Sequence, residues 1–399
     1  MISTADRSPT RVARGGVLVL GGGFAGARVA RRLGRSGATV VNPDNFLLCR
    51  PLLSGVAAGS VEPRRAAVPL RNLCPHADLV VGSVTGLDAR RRIASVTTDT
   101  GRCAIAYADL VVALGSGRPT PTAPGLAEHA FGLDDLRAAV ALRDHVLRQV
   151  ELAGFDPGSA ADRLTFVVAG APHAVVDTVA ELVQLSAAAL RQHPRLRHVH
   201  ARWLVIREAD LPIRRDRALR DRGVEIVGGA TVGSVTPTGV VLADGRRIAT
   251  RTAVWCPPAT PHPVLAQLGL PLDAGRLRVD ETLRVAPRVW ALGDCAAIPR
   301  CSPSGDTAGR PVRKQARVVA VNVRNPPRRY RAPALDPIRM VGLSGHRAGG
   351  SIAAGHRLNR HPFVSRRLRA VLDWITAALF CRDLAELSRS NGGDNDANP

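Results

Sequence analysis

Lysine is almost missing from this chain. Lys314 stands alone among 55 basic residues, the rest of which are arginine, and aromatic residues make up only 3% of the 399 positions. No run approaches the roughly eighteen consecutive apolar residues that a membrane-spanning helix needs. The opening MISTADRSPTRVAR carries charge and no apolar core, so no secretory signal is expected. These absences predict a cytoplasmic protein, soluble or peripheral on the cytoplasmic face of the membrane. The seven cysteines, Cys49, Cys74, Cys103, Cys256, Cys295, Cys301 and Cys381, are odd in number and widely spaced, and none forms a CxxC pair. That argues against a disulfide framework, a zinc site or a redox dithiol. His173, His198, His200, His262 and His346 have no ligand spacing, and no Ser-His-Asp set stands out. A net charge of +22 would suit an anionic partner. However, the arginines are scattered without aromatics between them to stack on bases, so nucleic acid is not expected as a partner.

What is present is alternation. Val17-Leu18-Val19-Leu20 reads as a buried strand, Ala25 to Leu33 as a helix, and Ala38 to Val41 as the next strand. Leu79 to Val84 and Arg92 to Thr97 read as strands of an antiparallel insert, followed by the apolar run Leu110 to Leu114. A helix over Leu136 to Leu152 leads into the turn-rich linker Gly154 to Ser159. The scheme then restarts, with strand Leu164 to Ala169, helix Val176 to Leu190 and strands at Trp203 to Ile206, Val224 to Val227, Val240-Val241 and Thr252 to Trp255. Strand–helix alternation of this kind implies an α/β fold of parallel sheets, with two mononucleotide-binding halves as a weak internal repeat.

Between the first strand and helix lies Gly21-Gly22-Gly23-Phe24-Ala25-Gly26. Gly21 permits a tight turn, Gly23 lets a pyrophosphate approach the backbone, and Gly26 lets helix and strand pack, with the helix N-terminus facing the phosphates. An acidic ribose contact is expected at the end of the second strand. Asn42 stands there instead, able to accept a hydrogen bond but uncharged, with Asp44 close by. Far downstream, Ala291-Leu292-Gly293-Asp294-Cys295-Ala296 resembles the second flavin-binding motif of two-dinucleotide-domain flavoproteins, in which the Asp binds a ribityl hydroxyl. The pair of motifs points to FAD.

The tract Asn45-Phe46-Leu47-Leu48-Cys49-Arg50-Pro51-Leu52-Leu53, continued through Ala67 to Arg71, Gly82-Ser83-Val84 and Val111 to Ser116, resembles type II NADH dehydrogenases, the single-subunit NADH:quinone oxidoreductases. The resemblance covers about the first 145 residues and again roughly 280–322. It implies that Pro51 lines the flavin, Val84 touches the adenine through its backbone, and Gly115 passes close to the flavin. It also implies two Rossmann-like, doubly wound domains, the FAD domain being discontinuous. The expected boundaries are 1–154 for its first part, 160–278 for an NAD(P)H-type domain, 279–340 for its second part, and 341–399 for a C-terminal region.

The middle departs from the family pattern. Gly170-Ala171-Pro172-His173-Ala174-Val175 keeps only the first glycine; Pro172 removes an N–H donor and Val175 fills the packing gap. Asp177 matches the family's flavin-facing glutamate with one methylene less. Glu208 suits the ribose of NADH, whereas Arg207 would suit the 2′-phosphate of NADPH. Trp255-Cys256-Pro257-Pro258 replaces a small-residue loop beside the nicotinamide. Two readings stand: NAD(P)H bound in a modified way as electron donor, or an FAD protein that has lost nicotinamide binding and acts as a non-catalytic or redox-sensing scaffold. Pro311 begins a helix running to Val323, and the family's paired quinone-site glutamines fall here at Lys314 and Gln315. Lys314 near the flavin would stabilise its reduced anion. Sulfide:quinone reductases share this fold but need flavin-face cysteines, for which only Cys256 and Cys301 are candidates. Finally, Arg366 to Leu387 reads as an amphipathic helix with an apolar stripe, a basic start and Trp374. It suits a membrane interface, as in the family, or packing on the protein itself or on a second copy in a homodimer.

Overall fold

The computed structural model describes residues 10–119, 121–208, 216–299, 310–325 and 328–330. The expected C-terminal region 341–399, including the helix Arg366 to Leu387, and Cys301 lie outside the described residues. The chain forms two compact units. Of the described residues, one takes those up to Leu48, Ala67–Arg118 and those from Ala259 to Tyr330; the other takes Cys49–Ala66 and Pro119–Pro258.

The first unit is built on a six-stranded sheet ordered Arg284–Ala286, Val289–Ala291, Asp109–Val112, Val17–Leu20, Thr39–Asn42 and Asp78–Val81. All neighbours run parallel except the edge pair Arg284–Ala286 and Val289–Ala291. Leu18, Val19, Leu20, Leu110, Val111 and Val112 are wholly buried, as strands covered on both faces must be. Helix Phe24–Leu33 crosses from Val17–Leu20 to Thr39–Asn42 and packs against helix Arg310–Asn322. A four-stranded sheet of Thr10–Val12, Gly101–Ala106, Ile93–Thr98 and Ser83–Asp88 completes this unit.

One expectation is corrected here. The stretch Leu79 to Val84 is not a single insert strand: Asp78–Val81 extends the parallel sheet beside Thr39–Asn42, and only Ser83–Asp88 turns into the antiparallel layer. Gly82 makes the changeover, since a Cβ there would lie 2.6 Å from the Thr97 carbonyl oxygen.

The second unit repeats the plan with a five-stranded parallel sheet ordered Ala130–Gly132, Thr252–Cys256, Thr165–Gly170, Arg202–Ile206 and Val224–Val227. Helices Leu136–Phe155 and Pro172–Gln192 pack on each other, and a three-stranded antiparallel layer spans Val232–Thr236, Gly239–Leu242 and Arg247–Ala249. Asp135 caps the first of these helices by accepting from the Ala138 N–H at 2.8 Å. That helix runs through Gly154 and Phe155, so the expected linker begins as its last turn, and the two ends of the helix stay in one unit. Among the described residues no helix is long and apolar enough to cross a membrane, and no group of histidine, cysteine and acidic side chains could hold a metal.

Candidate functional site

In an open parallel sheet, ligands settle beyond the carboxyl ends of the strands where the order reverses. Val17–Leu20 lies at that point in the first unit, and the glycine loop follows it. Gly21 adopts φ +101°, and a Cβ on it would sit 2.3 Å from the Ala113 carbonyl oxygen. Gly26 presses on the loop itself, its Cβ position being 1.9 Å from the Gly21 carbonyl oxygen. Gly23, the helix N-cap, has nothing within 4 Å of a Cβ, nor has Gly115 at φ +70°. Two glycines are thus consumed by the fold, while two border open space at the helix start and at the end of the central strand. Phe24 lies under the Arg28 guanidinium, 4.3 Å from ring centroid to carbon, and this pair shields the first turn.

Asn42 does more than stand in for a ribose acid. Its Oδ1 accepts from the Gly22 N–H at 2.8 Å, and its Nδ2 donates to the Asp44 carbonyl at 2.8 Å. The side chain therefore braces the glycine loop, and a ribose hydroxyl could use only the second lone pair of its oxygen. Val84 is buried on Ser83–Asp88, where the ladder is irregular between Val84 and Gly86. Such an irregularity leaves backbone groups unpaired, the feature that an adenine contact through the backbone would need.

Gly293 takes φ +77°, and a Cβ there would meet the Ala25 Cβ at 3.4 Å, so the downstream motif lies against the first loop within this unit. The Leu292 N–H donates to the Val112 carbonyl at 3.1 Å, which fixes the half-buried Asp294 at the mouth of the sheet. Helix Arg310–Asn322 holds that turn from behind: the Gly293 N–H donates to Gln315 Oε1 at 3.0 Å. Gln315, expected from the resemblance at the quinone site, is fully buried and faces this turn. Lys314, next to it, is exposed, with its ammonium 5.8 Å over the Tyr330 ring. The spacing of a helix dictates this outcome, because adjacent residues point about 100° apart and only one can face the core.

These features fit a dinucleotide in the first unit. Gly21, Gly23 and Gly26 shape the cradle, Asn42 fixes it, and Gly293 with Asp294 closes it.

The second unit fits less well. Gly170 repeats Gly21: φ is +122°, a Cβ would lie 1.9 Å from the Cys256 carbonyl oxygen, and the Ala171 N–H donates to that oxygen at 2.7 Å. Its helix, however, begins at Pro172, the place that Gly23 keeps open in the first loop, and Pro172 is exposed. Val175 is fully buried where Gly26 has its counterpart. At Gly26 even a Cβ would collide with the loop, and its counterpart here carries a branched side chain. The loop is thereby short of one N–H donor, that of Pro172.

Asp177 is half-buried on this helix, beside the fully buried Thr178. Thr178 Oγ1 accepts from Cys256 Sγ at 3.6 Å and pairs with Ser54 Oγ at 3.3 Å, a contact that no sequence motif announced. Burial, opposed by the Thr178 hydrogen bond and reinforced by Asp134 and Asp177, pushes the Cys256 thiol up to about 12. A sulfide-handling cysteine needs an accessible thiolate, so Cys256 is unsuited to that role. Pro51 is exposed in the short turn Arg50–Leu52 and belongs to this unit.

At the end of Arg202–Ile206 the structure separates two neighbours. Arg207 is buried and clamped bidentately by Asp216, at 3.1 Å to Oδ1 and 2.9 Å to Oδ2. Glu208 is exposed. The arginine that would have received a 2′-phosphate is therefore committed to the protein interior, and Asp216, nine residues on, was the unrecognised partner.

Residues 15–320 match the model of the family described as pyridine nucleotide-disulphide oxidoreductase. The chain belongs to that family. An NADH dehydrogenase-like protein of Mycobacterium tuberculosis is 35% identical over 298 residues, covering 70% of this chain and 72% of that one. A type II NADH:quinone oxidoreductase of the same organism is 27% identical, covering 71% and 67%. The NDH2 structure from Plasmodium falciparum superposes with a TM-score of 0.63 at 16% identity, covering 72% of this chain and 64% of that one. The sulfide:quinone oxidoreductase of Aquifex aeolicus gives 0.61 at 18% identity, covering 78% and 76%; at such identities the likeness is one of fold. As a pyridine nucleotide-disulphide oxidoreductase relative, this chain is an oxidoreductase of α/β, Rossmann-like architecture.

Proposed function

We propose that this protein is a type II NADH dehydrogenase-like flavoenzyme, with FAD in the first unit, NADH as donor and a quinone as acceptor. The observation that carries it is the paired cradle of the first unit, where the Gly21 to Gly26 loop and the Gly293-Asp294 turn meet at Ala25. Bound FAD would supply the chemistry, taking two electrons with a hydride from NADH and returning them with a further proton to reduce a quinone to the quinol. The chain's own residues do the rest. Gly23 and the first-turn amides offer donors to phosphate oxygens, Asp294 accepts from a ribityl hydroxyl, and Gly115 lets the backbone come close to the flavin. In the second unit the exposed Glu208 accepts from the adenosine ribose.

The buried Arg207–Asp216 pair favours NADH over NADPH, because Arg207 is committed to Asp216 and the exposed carboxylate of Glu208 repels a 2′-phosphate. The altered Gly170 loop implies weak pyrophosphate binding, compensated by the ribose and nicotinamide contacts. An anaerobic titration of the purified protein with NADH, then NADPH, tests this. Rapid bleaching of the visible flavin band by NADH and slow bleaching by NADPH are expected. A flavin that ignores both donors yet bleaches with dithionite would sink the dehydrogenase assignment, and the absence of flavin would sink the cofactor assignment as well.

A further inference from the structure

We infer that Gln315 serves the flavin rather than the quinone: its amide sets the Gly293 turn and offers a buried donor to an oxygen of the bound FAD. This rests on the reading of the first unit as an FAD site. The resemblance to type II dehydrogenases points the other way, to a glutamine that meets the acceptor. The structure instead turns its side chain to the Gly293 turn, among the core residues Val312, Ala316 and Val319 of its own helix.

The amide orientation follows from its partner. Gly293 presents an N–H at 3.0 Å, which only the side-chain oxygen can accept, so the NH2 group must lie on the other side. That Nε2 is buried and has no hydrogen-bond acceptor among the described residues. A buried amide donor is rarely left without an acceptor, and where one is, a ligand is a ready explanation. The surroundings name the ligand: Gly293 abuts Ala25 of the glycine loop, so Gln315 stands behind the junction of the two motifs that share one dinucleotide. A ribityl hydroxyl or a flavin carbonyl has the oxygen this donor lacks.

Two variants of the full chain separate the roles. Gln315→Glu keeps an acceptor for the Gly293 N–H and lacks the NH2 group, and Gln315→Met lacks both. FAD dissociation is followed by release fluorescence, together with the flavin midpoint potential and the KM for a short-chain quinone. Both variants are expected to weaken FAD by roughly three- to tenfold, the effect of one lost hydrogen bond, and to shift the potential while leaving the quinone KM unchanged. If Gln315→Glu matches wild type in FAD affinity and potential while Gln315→Met fails, the amide is a brace only and the donor role is refuted. A raised quinone KM with unchanged FAD affinity would return Gln315 to the acceptor site. A wild-type protein that takes up no FAD would instead overturn the underlying cofactor reading.

Discussion

Asp216→Ala is the sharpest test of the donor end of the second unit. The Arg207 and Asp216 side chains are 5% and 4% exposed and joined by two hydrogen bonds, and Arg207 Nε has no acceptor of its own among the described residues. Removing the carboxylate leaves a buried guanidinium without its counter-ion, a change that costs about 3–5 kcal/mol. For a unit of this size each kcal/mol lowers the midpoint by about 2–4 °C, so a fall of roughly 6–20 °C is expected. Trp203 and Trp255 lie in the same unit, and their fluorescence reports its melting. Replacing both members, Arg207→Met with Asp216→Leu, removes the unpaired charge and should recover most of the loss. The two variants should also differ in cofactor use. Asp216→Ala releases the arginine, so activity with NADPH should rise relative to NADH, whereas the double variant has no arginine to release. A midpoint shift of a degree or less for Asp216→Ala would show that the pair is solvated and would refute the reasoning on donor choice.

Gly26→Ala, whose Cβ would fall 1.9 Å from the Gly21 carbonyl oxygen, is expected to destabilise the first unit by about 1–3 kcal/mol and to lower its FAD content. Gly23→Ala, facing open space, should lower FAD content in a flavin assay while leaving the apoprotein melting curve unchanged. His145, through Nε2, contacts the Arg251 carbonyl and Thr252 Oγ1, each at 3.0 Å, and burial lowers its pKa below the ordinary 6.5. The unfolded chain therefore binds the proton more readily, so stability holds above about pH 6.5 and is lost as pH falls below it; His145→Gln should flatten that slope in melts across pH. Burial drives the thiols of Cys74 and Cys295 up to about 11 and that of Cys256 to about 12, so mass spectrometry after iodoacetamide at pH 8 should find all three unmodified in the native protein and labelled in denaturant. Pro172→Gly with Val175→Gly should lower the KM for NADH although the loss of the buried valine destabilises the unit; an unchanged KM would mean that the pyrophosphate does not reach this loop.

The parallel sheets were legible because their strands are short apolar runs bounded by glycine, and Val17–Leu20, Thr165–Gly170 and Val224–Val227 appear close to where the pattern puts them. Asp78–Val81 was misread because strand propensity does not say which sheet a strand joins. That is decided by pairing with Thr39–Asn42, far away in sequence. At the site, motifs gave positions but not directions. Gln315 and Lys314 are neighbours on a helix, and which one turns inward depends on Gly293, a residue more than twenty positions upstream. Arg207 read as a free cation because its partner Asp216 lies beyond the strand.

The two glycine loops also show why a fingerprint can decay unevenly. Gly21 and Gly170 both carry positive φ, and both press a bare Cα on a neighbouring strand's carbonyl, so each is demanded by the fold whether or not a ligand binds. Gly23 answers to no protein atom within 4 Å; only an incoming phosphate would require it to stay small. A unit relieved of tight pyrophosphate binding can therefore replace that second glycine at no cost to its core, and the second unit carries Pro172 there, a residue well suited to begin a helix. Gly26 lies between these cases, because its Cβ position is blocked by the first loop while its counterpart in the second unit holds the fully buried Val175. The first glycine of such a motif thus reports on the fold and the second on the ligand. By that criterion the first loop keeps the glycine that a phosphate would demand, and the second keeps only the one that its fold demands.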